Sequence, residues 1–438
     1  LLALLAGGAH ADTWVALKQE WLGQNGYHLG SSIAVVKGYD AQSNPIAARL
    51  LVGMPYASDG TFAECGAVQV YVPGAGGWVP ETTLYSNARR AGAHFGASMA
   101  AYAPYVVVGA PDFGGYDGST PGAGRAEIYQ IYGTAGSPDI RFDVGINGSS
   151  GSNFGSAVAV NAGVAAVAAV NASAGKGCIS TYRYDTGTGT WSNFPATGAA
   201  ACGSSGAALG SSVGILRTGT DAFLMIAGAP GETQNGNLLA GGAHVFFPNP
   251  NQTTGGFLEV GTLAADTPTA FDFFGTSVGI DADYVYVGAT GRDNGAGRVG
   301  SVTIFKPANI LGYDYLSEYF PGAPATIGGH CGAALSVDAA NSQFILGCPD
   351  SDDPYYTKAG TARVYRRFTF LGQPVWLESV LSYGTQPHNA NFSLGRSVAI
   401  MGNQAFAGAP NAYVSGQSGN GAWKAFLPDQ IFKDGFGP

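Results

Sequence analysis

HFGASMAAYAPYVVVGAP, residues 94–111, is the stretch whose reading decides the fold. A glycine preceded by an aromatic opens it, two short apolar runs follow, and Gly-Ala-Pro closes it. The pattern recurs along the chain. HLGSSIAVV (28–36) leads to LLVGMP (50–55), NFGSAVAV (153–160) to VAAVAAV (164–170), and ALGSSVGI (208–215) to LMIAGAP (224–230). FFGTSVGI (273–280) leads to VYVGAT (285–290), HCGAALSV (330–337) to FILGCP (344–349), and SLGRSVAI (393–400) to AFAGAP (405–410). The first glycines are Gly30, Gly96, Gly155, Gly210, Gly275, Gly332 and Gly395, about 55 to 66 residues apart. Self-similarity at such a period marks a chain built from stacked supersecondary units.

Each copy then continues alike. A glycine-containing loop precedes a strand of alternating character: GAVQVYV (66–72), GRAEIYQ (124–130), GCISTYRY (177–184), GAHVFF (242–247), GSVTIF (300–305), GTARVYRR (360–367) and GAWKAFL (421–427). Alternation with period two is the mark of a half-buried strand. A weaker fourth strand follows in most copies, as in WVPETTLYS (78–86) and VWLESVLSY (375–383). Four short antiparallel strands repeated seven times predict an all-β, seven-bladed β-propeller of four-stranded blades. The last copy stops after its third strand, whereas TWVALKQEWLG (13–23) reads as an orphan fourth strand. Residues 13–22 are therefore expected to complete the seventh blade, because an open ring would leave unpaired edges.

Composition agrees. Of 438 residues, 69 are Gly and 23 Pro, and only 11% are charged. Length alone predicts two or three domains, an expectation that the repeats override. With 46% hydrophobic and 12% aromatic residues the chain can bury a core and is not of the disordered class. A net charge of −9 argues against nucleic acid as a partner, since phosphate binding requires a basic face. LLALLAGGAHA (1–11) reads as the remnant of a secretory signal peptide, with an apolar core and Ala9-His10-Ala11 as the cleavage pattern. The propeller is placed at 12–428 and a tail at 429–438. No apolar run is long enough to span a membrane. Five cysteines suit an oxidising compartment. Cys331 with Cys348, and Cys178 with Cys202, are positioned to bridge or else to serve as small buried apolar residues; Cys65 is left odd.

Phe95-Gly96 with Gly109-Ala110-Pro111 is similar to the FG-GAP repeat, best known from the seven-bladed head of integrin alpha subunits. Leu209-Gly210 with Gly228-Ala229-Pro230, and Leu394-Gly395 with Gly408-Ala409-Pro410, match nearly as well. The resemblance covers residues 13–428 and implies a secreted binding or adhesion module. It also implies calcium in a DxDxDG-like loop between the first and second strands, where alternate oxygens and a turn glycine meet the ion's needs. Here five of the seven hairpins are short or poorly acidic. The first offers Asp40, Gln42 and Asn44 but no turn glycine and no closing acid. No cofactor is therefore expected, calcium being the one that the resemblance allows. IFKDGFGP (431–438) is similar to a short IFxDGFE-type tail of secreted proteins in some Gram-negative bacteria, departing at Gly437.

Two segments fit the nucleophile-elbow pattern G-x-S-x-G, around Ser212 and Ser277. The pattern needs a strand-to-helix turn, whereas Ser32, Ser98 and Ser397 hold the same repeat position in front of a strand. GAGRVG (295–300) fits G-x-G-x-x-G but precedes a strand, not the helix that dinucleotide binding requires. Neither points to catalysis. His28, His94 and His330 each stand two residues before a first glycine, at the mouth of an innermost strand. Loops between second and third strands share that face and bring Asp112, Tyr116, Asp117, Asp350, Asp352, Tyr355 and Tyr356. Acids, amides and tyrosines on a rigid scaffold suit recognition of carbohydrate or protein. The expected ligand-binding residues are thus His94, Asp112, Tyr116, Asp117, His330, Asp350, Asp352, Tyr355 and Tyr356, on a monomer that is secreted or surface-exposed, the periplasm included. The alternatives are a polysaccharide lyase or hydrolase with a site assembled across blades, and a structural protein of the envelope.

Overall fold

The computed structural model describes residues 14–22, 24, 26–39, 45–114, 122–198, 200–219, 222–249, 256–308, 312–322, 326–353, 356–382, 391–412 and 419–428. In the repeat read first, the apolar runs become the strands Ser98–Tyr102 and Tyr105–Ala110, and the chain goes on to Arg125–Thr134 and Ser137–Asn147. These four pair antiparallel in sequence order, with Gly109 opposite Ser98 on one side and Ala126 on the other. Seven such sheets make seven blades. Blade 7 is mixed: Ser397–Met401, Gln404–Ala409 and Ala422–Pro428 are joined by Trp14–Leu22, whose Trp14 stands opposite Pro428 and Leu22 opposite Ala422.

Burial departs from simple alternation. Strands such as Val164–Ala169 and Gln343–Cys348 are buried at every position. Both faces of a blade press on neighbours, so a middle strand has no wet side. The apolar core accordingly divides into seven clusters, one per blade boundary. The cluster between blades 7 and 1 sets Trp78 edge-on to Phe406 at 5.4 Å and Tyr71 against Trp423 at 4.9 Å.

The same boundaries explain the glycines and serines of the repeat. The first glycine of a blade brings its carbonyl oxygen onto the second glycine of the preceding blade. A Cβ on Gly109 would lie 2.1 Å from the Gly155 oxygen, and one on Gly408 would lie 2.1 Å from the Gly30 oxygen. Only a residue without Cβ tolerates that approach. The same carbonyl accepts a hydroxyl from the preceding blade. Ser32 Oγ donates to Gly96 at 2.6 Å, Ser98 to Gly155 at 2.7 Å, and Ser397 to Gly30 at 2.7 Å, which links blade 7 to blade 1. Ser212 donates to Gly275 at 2.9 Å and Ser277 to Gly332 at 2.8 Å, so both elbow-like serines are inter-blade ties. Blade 3 lacks both partners: Ala157 stands for the serine and Ala168 for the glycine.

Both cysteine pairs form disulfides, and Cys65 is free and buried. Cys331 and Cys348 occupy the positions of Phe95 and Ala110, so in blade 6 a covalent bond replaces the apolar contact of the motif. In blade 3 the outer strand Thr190–Asn193 is short, and the Cys178–Cys202 bond pins an extra two-residue strand, Ala201–Cys202, beside Cys178. Among the described residues no helix is long and apolar enough to cross a membrane.

Candidate functional site

Two residue positions build the axial rim. One is the residue two before each first glycine: His28, His94, Asn153, Ala208, Phe273, His330 and Ser393. All seven take the left-handed backbone conformation, with φ between 50° and 60°. The cause is a change of partner. His94 and Phe95 donate their N–H groups to Glu64 and Cys65 of the preceding blade, and Gly96 then donates to Gly109 of its own. A left-handed residue costs about 1–2 kcal/mol, which the bonds on either side offset. The other rim position directly follows Gly-Ala-Pro: Tyr56, Asp112, Asn171, Gly231, Gly291, Asp350 and Asn411.

Within a blade the two positions touch. His94 Nδ1 lies 2.7 Å from Asp112 Oδ2, and His330 Nδ1 lies 2.6 Å from Asp350 Oδ2. Asn171 Nδ2 donates to Asn153 Oδ1 at 2.5 Å, and Asn411 Nδ2 to Ser393 Oγ at 3.1 Å. In blade 1 the rings of His28 and Tyr56 sit 4.8 Å apart. The pairs also reach across blades, with Tyr56 4.5 Å from the His94 ring and Asn153 Nδ2 donating to Asp112 Oδ1 at 3.1 Å. Blades 4 and 5 carry Ala208 with Gly231 and Phe273 with Gly291 instead. The rim is therefore polarised. Blades 6, 7, 1, 2 and 3 form an unbroken arc of polar pairs, and blades 4 and 5 leave a bare one.

A cavity of about 460 Å³ opens on that arc. Blade 1 contributes His28, Ser31, Pro55 and Tyr56 to its wall, blade 2 Ala97, blade 6 Pro349 and Asp350, and blade 7 Ser393, Arg396, Pro410 and Asn411. The hydrogen bond from His330 holds the Asp350 carboxyl below its usual range against the opposing effect of burial, with help from the charges of His330, Lys358 and Arg396. Burial lowers the His28 pKa, and a hydrogen bond to the Pro410 carbonyl only partly opposes it. At neutral pH the cavity thus presents an ionised Asp350, a neutral His28 and the Arg396 cation. Tyr56 is 40% exposed, leaving ring surface free for a ligand.

Of the residues expected from sequence, Asp350 lines the cavity. His330 touches it through Asp350, and His94 and Asp112 continue the arc beside Tyr56. Asp352 is not part of the cavity wall, and its carboxylate accepts the Lys358 N–H at 2.8 Å within its own loop. Tyr356 is exposed but is not part of the cavity wall. Tyr116, Asp117 and Tyr355 lie outside the described residues, as do Asp40, Gln42 and Asn44, the leader 1–11 and the tail 429–438. The three histidines do not converge on one point, and no group of three His, Cys, Asp or Glu fit for a metal occurs among the described residues. Tyr56, Ser31 and Arg396 escaped the sequence reading. Their signal was positional: Tyr56 is in column with Asp112 and Asp350, and Arg396 is the one charged residue among those following a first glycine.

No curated protein matches the chain. Among solved structures, Sqt1 of Saccharomyces cerevisiae is similar with a TM-score of 0.46 at 9% identity, over 93% of this chain and 88% of that one. Residues 257–305, from the outer strand of blade 4 through the third strand of blade 5, match the FG-GAP repeat. The chain is a seven-bladed β-propeller that carries an FG-GAP repeat match across the boundary of blades 4 and 5.

Proposed function

We propose that this protein is an extracellular binding module that recognises a carbohydrate in the cavity on its axial face. The observation that carries the reading is the polarised rim. Touching polar pairs, hydrogen-bonded in four blades and in ring contact in blade 1, occupy five contiguous blades and are missing from the other two, and the cavity opens on the polar arc. A scaffold need alone would treat seven equivalent positions alike. The wall supplies what sugar recognition requires: hydroxyl and amide groups at Ser31, Ser393 and Asn411, a carboxylate at Asp350, and the exposed Tyr56 ring as a stacking surface. Its volume falls within the ordinary range of ligand sites, ~300–1,000 Å³. Two disulfides suit an oxidising compartment, in keeping with export.

A glycan array probed with the labelled protein tests the reading. Binding to a defined set of glycans is expected, with loss in Tyr56→Ala and in Asp350→Asn but not in Tyr315→Ala, an exposed tyrosine on the outer strand of blade 5. No glycan bound, or binding indifferent to Tyr56 and Asp350, refutes it.

A further inference from the structure

We infer that the cavity takes a saccharide bearing a carboxylate, a uronic acid unit, held by Arg396; the inference rests on the carbohydrate reading above. The wall contains two formal charges, and they are not equivalent. Asp350 already has a partner, His330 Nδ1 at 2.6 Å, and that bond is the largest cause holding its carboxyl below the usual range. Arg396 lacks a bonded one: its charge acts on Asp350 from a distance, among the described residues it forms no ion pair, and it is exposed at the cavity. His28 adds no charge at neutral pH, because burial lowers its pKa. The cavity therefore holds an anion hydrogen-bonded to His330 and a cation that acts on Asp350 only through space, which leaves the Arg396 fork open to a negative group on the ligand.

Position narrows the choice further. Arg396 follows the first glycine of blade 7, at the top of an innermost strand. Ser31 and Ala97 hold the equivalent places in blades 1 and 2 and line the same cavity. An arginine there brings a planar fork to the cavity wall, a geometry matched by a carboxylate. Ser31 Oγ donates to the His28 carbonyl at 2.8 Å, which leaves its lone pairs for a ligand hydroxyl. The free Asp350 oxygen serves as an acceptor for another. One acid, several hydroxyls and a ring face on Tyr56 together describe a uronic acid rather than a neutral sugar or a simple carboxylic acid.

The test uses calorimetric titration of the full chain with a galacturonic acid trimer, a galactose trimer and a sulfated galactose trimer, at one ionic strength. The galacturonic trimer is expected to bind at least about tenfold more tightly than the galactose trimer, the difference that one charge-assisted pair supplies. Arg396→Gln is expected to erase that preference, so that the two trimers bind this variant with equal affinity; because Arg396 is exposed, circular dichroism should show the variant folded. Equal affinity of the unaltered chain for the acidic and neutral trimers overturns the uronic acid assignment while leaving carbohydrate recognition standing. A preference for the sulfated trimer, or an acidic preference that survives in Arg396→Gln, overturns it too. No binding of any trimer overturns it together with the carbohydrate reading if the glycan array is also blank.

Discussion

Replacing Gly408 by Ala, and Ser397 by Ala, singly and together, tests whether the repeat signature is an inter-blade contact. Ser397 Oγ donates to the Gly30 carbonyl at 2.7 Å and is buried, so Ser397→Ala removes a buried bond worth about 1–2 kcal/mol. Gly408→Ala is a different insult. The new Cβ would fall 2.1 Å from the Gly30 oxygen and 2.4 Å from Ser397 Oγ. The first neighbour is backbone, so the blade boundary itself has to open, at a cost near the top of the overpacking range, about 3 kcal/mol. The second neighbour disappears in the double variant, and the carbonyl, released from its hydroxyl, can move away. The double variant should therefore fall short of the sum by about 1 kcal/mol, a coupling typical of residues in contact. Blade 3 shows that the paired loss is tolerated, since Ala157 and Ala168 stand there together. Denaturant unfolding followed by tryptophan fluorescence reads all four proteins. Strict additivity, or a Gly408→Ala variant as stable as the parent, would mean that the glycine is kept for some reason other than the approach of Gly30.

Three further outcomes are expected. His244 is held between Glu232 at 3.0 Å and Glu259 at 2.7 Å; burial lowers its pKa, but the two carboxylates prevail and raise it to about 8. A raised folded-state pKa gives stability that is fully present below the unfolded value near 6.5 and is lost as pH rises through 8, on the order of 2 kcal/mol, so His244→Gln should cost more at pH 6 than at pH 9 in parallel denaturation curves. Removing residues 12–22 exposes the edge of Ala422–Pro428 and should lower the melting temperature by on the order of 10 °C; an unchanged melt would show that the strand adds nothing to the ring. Cys331→Ala with Cys348→Ala should cost about 3 kcal/mol for the lost cross-link, whereas Cys331→Phe with Cys348→Ala, which restores the residues of blade 2, should recover part of it; equal stabilities would refute the equivalence of bond and apolar contact.

The fold was legible because its constraints are local and repeat. A first glycine, a serine two residues on and a second glycine answer to one boundary geometry. Seven noisy copies in phase therefore identify it even where blade 3 has Ala157 for the serine and Ala168 for the glycine, and blade 6 has Ala334 for the serine. Strand order within a blade follows from chain order. The burial of whole strands such as Val164–Ala169 was not legible, because alternation reports one wet face and the blades have none. The site was legible only in part. His94, Asp112, His330 and Asp350 stood out as polar residues at fixed repeat positions, and the structure joins them in two pairs. Asp352 stood out equally, but its carboxylate serves the loop that carries it.

What remained hidden was the comparison between blades, and it is there that function separates from scaffold. Strain at the first rim position is common to all seven copies, from His28 to Ser393, and even Ala208 and Phe273 accept it. The left-handed backbone is therefore a property of the ring and says nothing of a ligand. The side chains placed on that uniform frame are not uniform. Where the ring needs no chemistry, Gly231 and Gly291 face Ala208 and Phe273. Along the polar arc, Tyr56, Asp112, Asp350 and Asn411 stand in place of those glycines, and each engages the residue beside it. Deviation from the repeat at a position that the repeat already fixes in space is the informative signal. By that measure Arg396, alone in its column in carrying a charge, departs furthest of all.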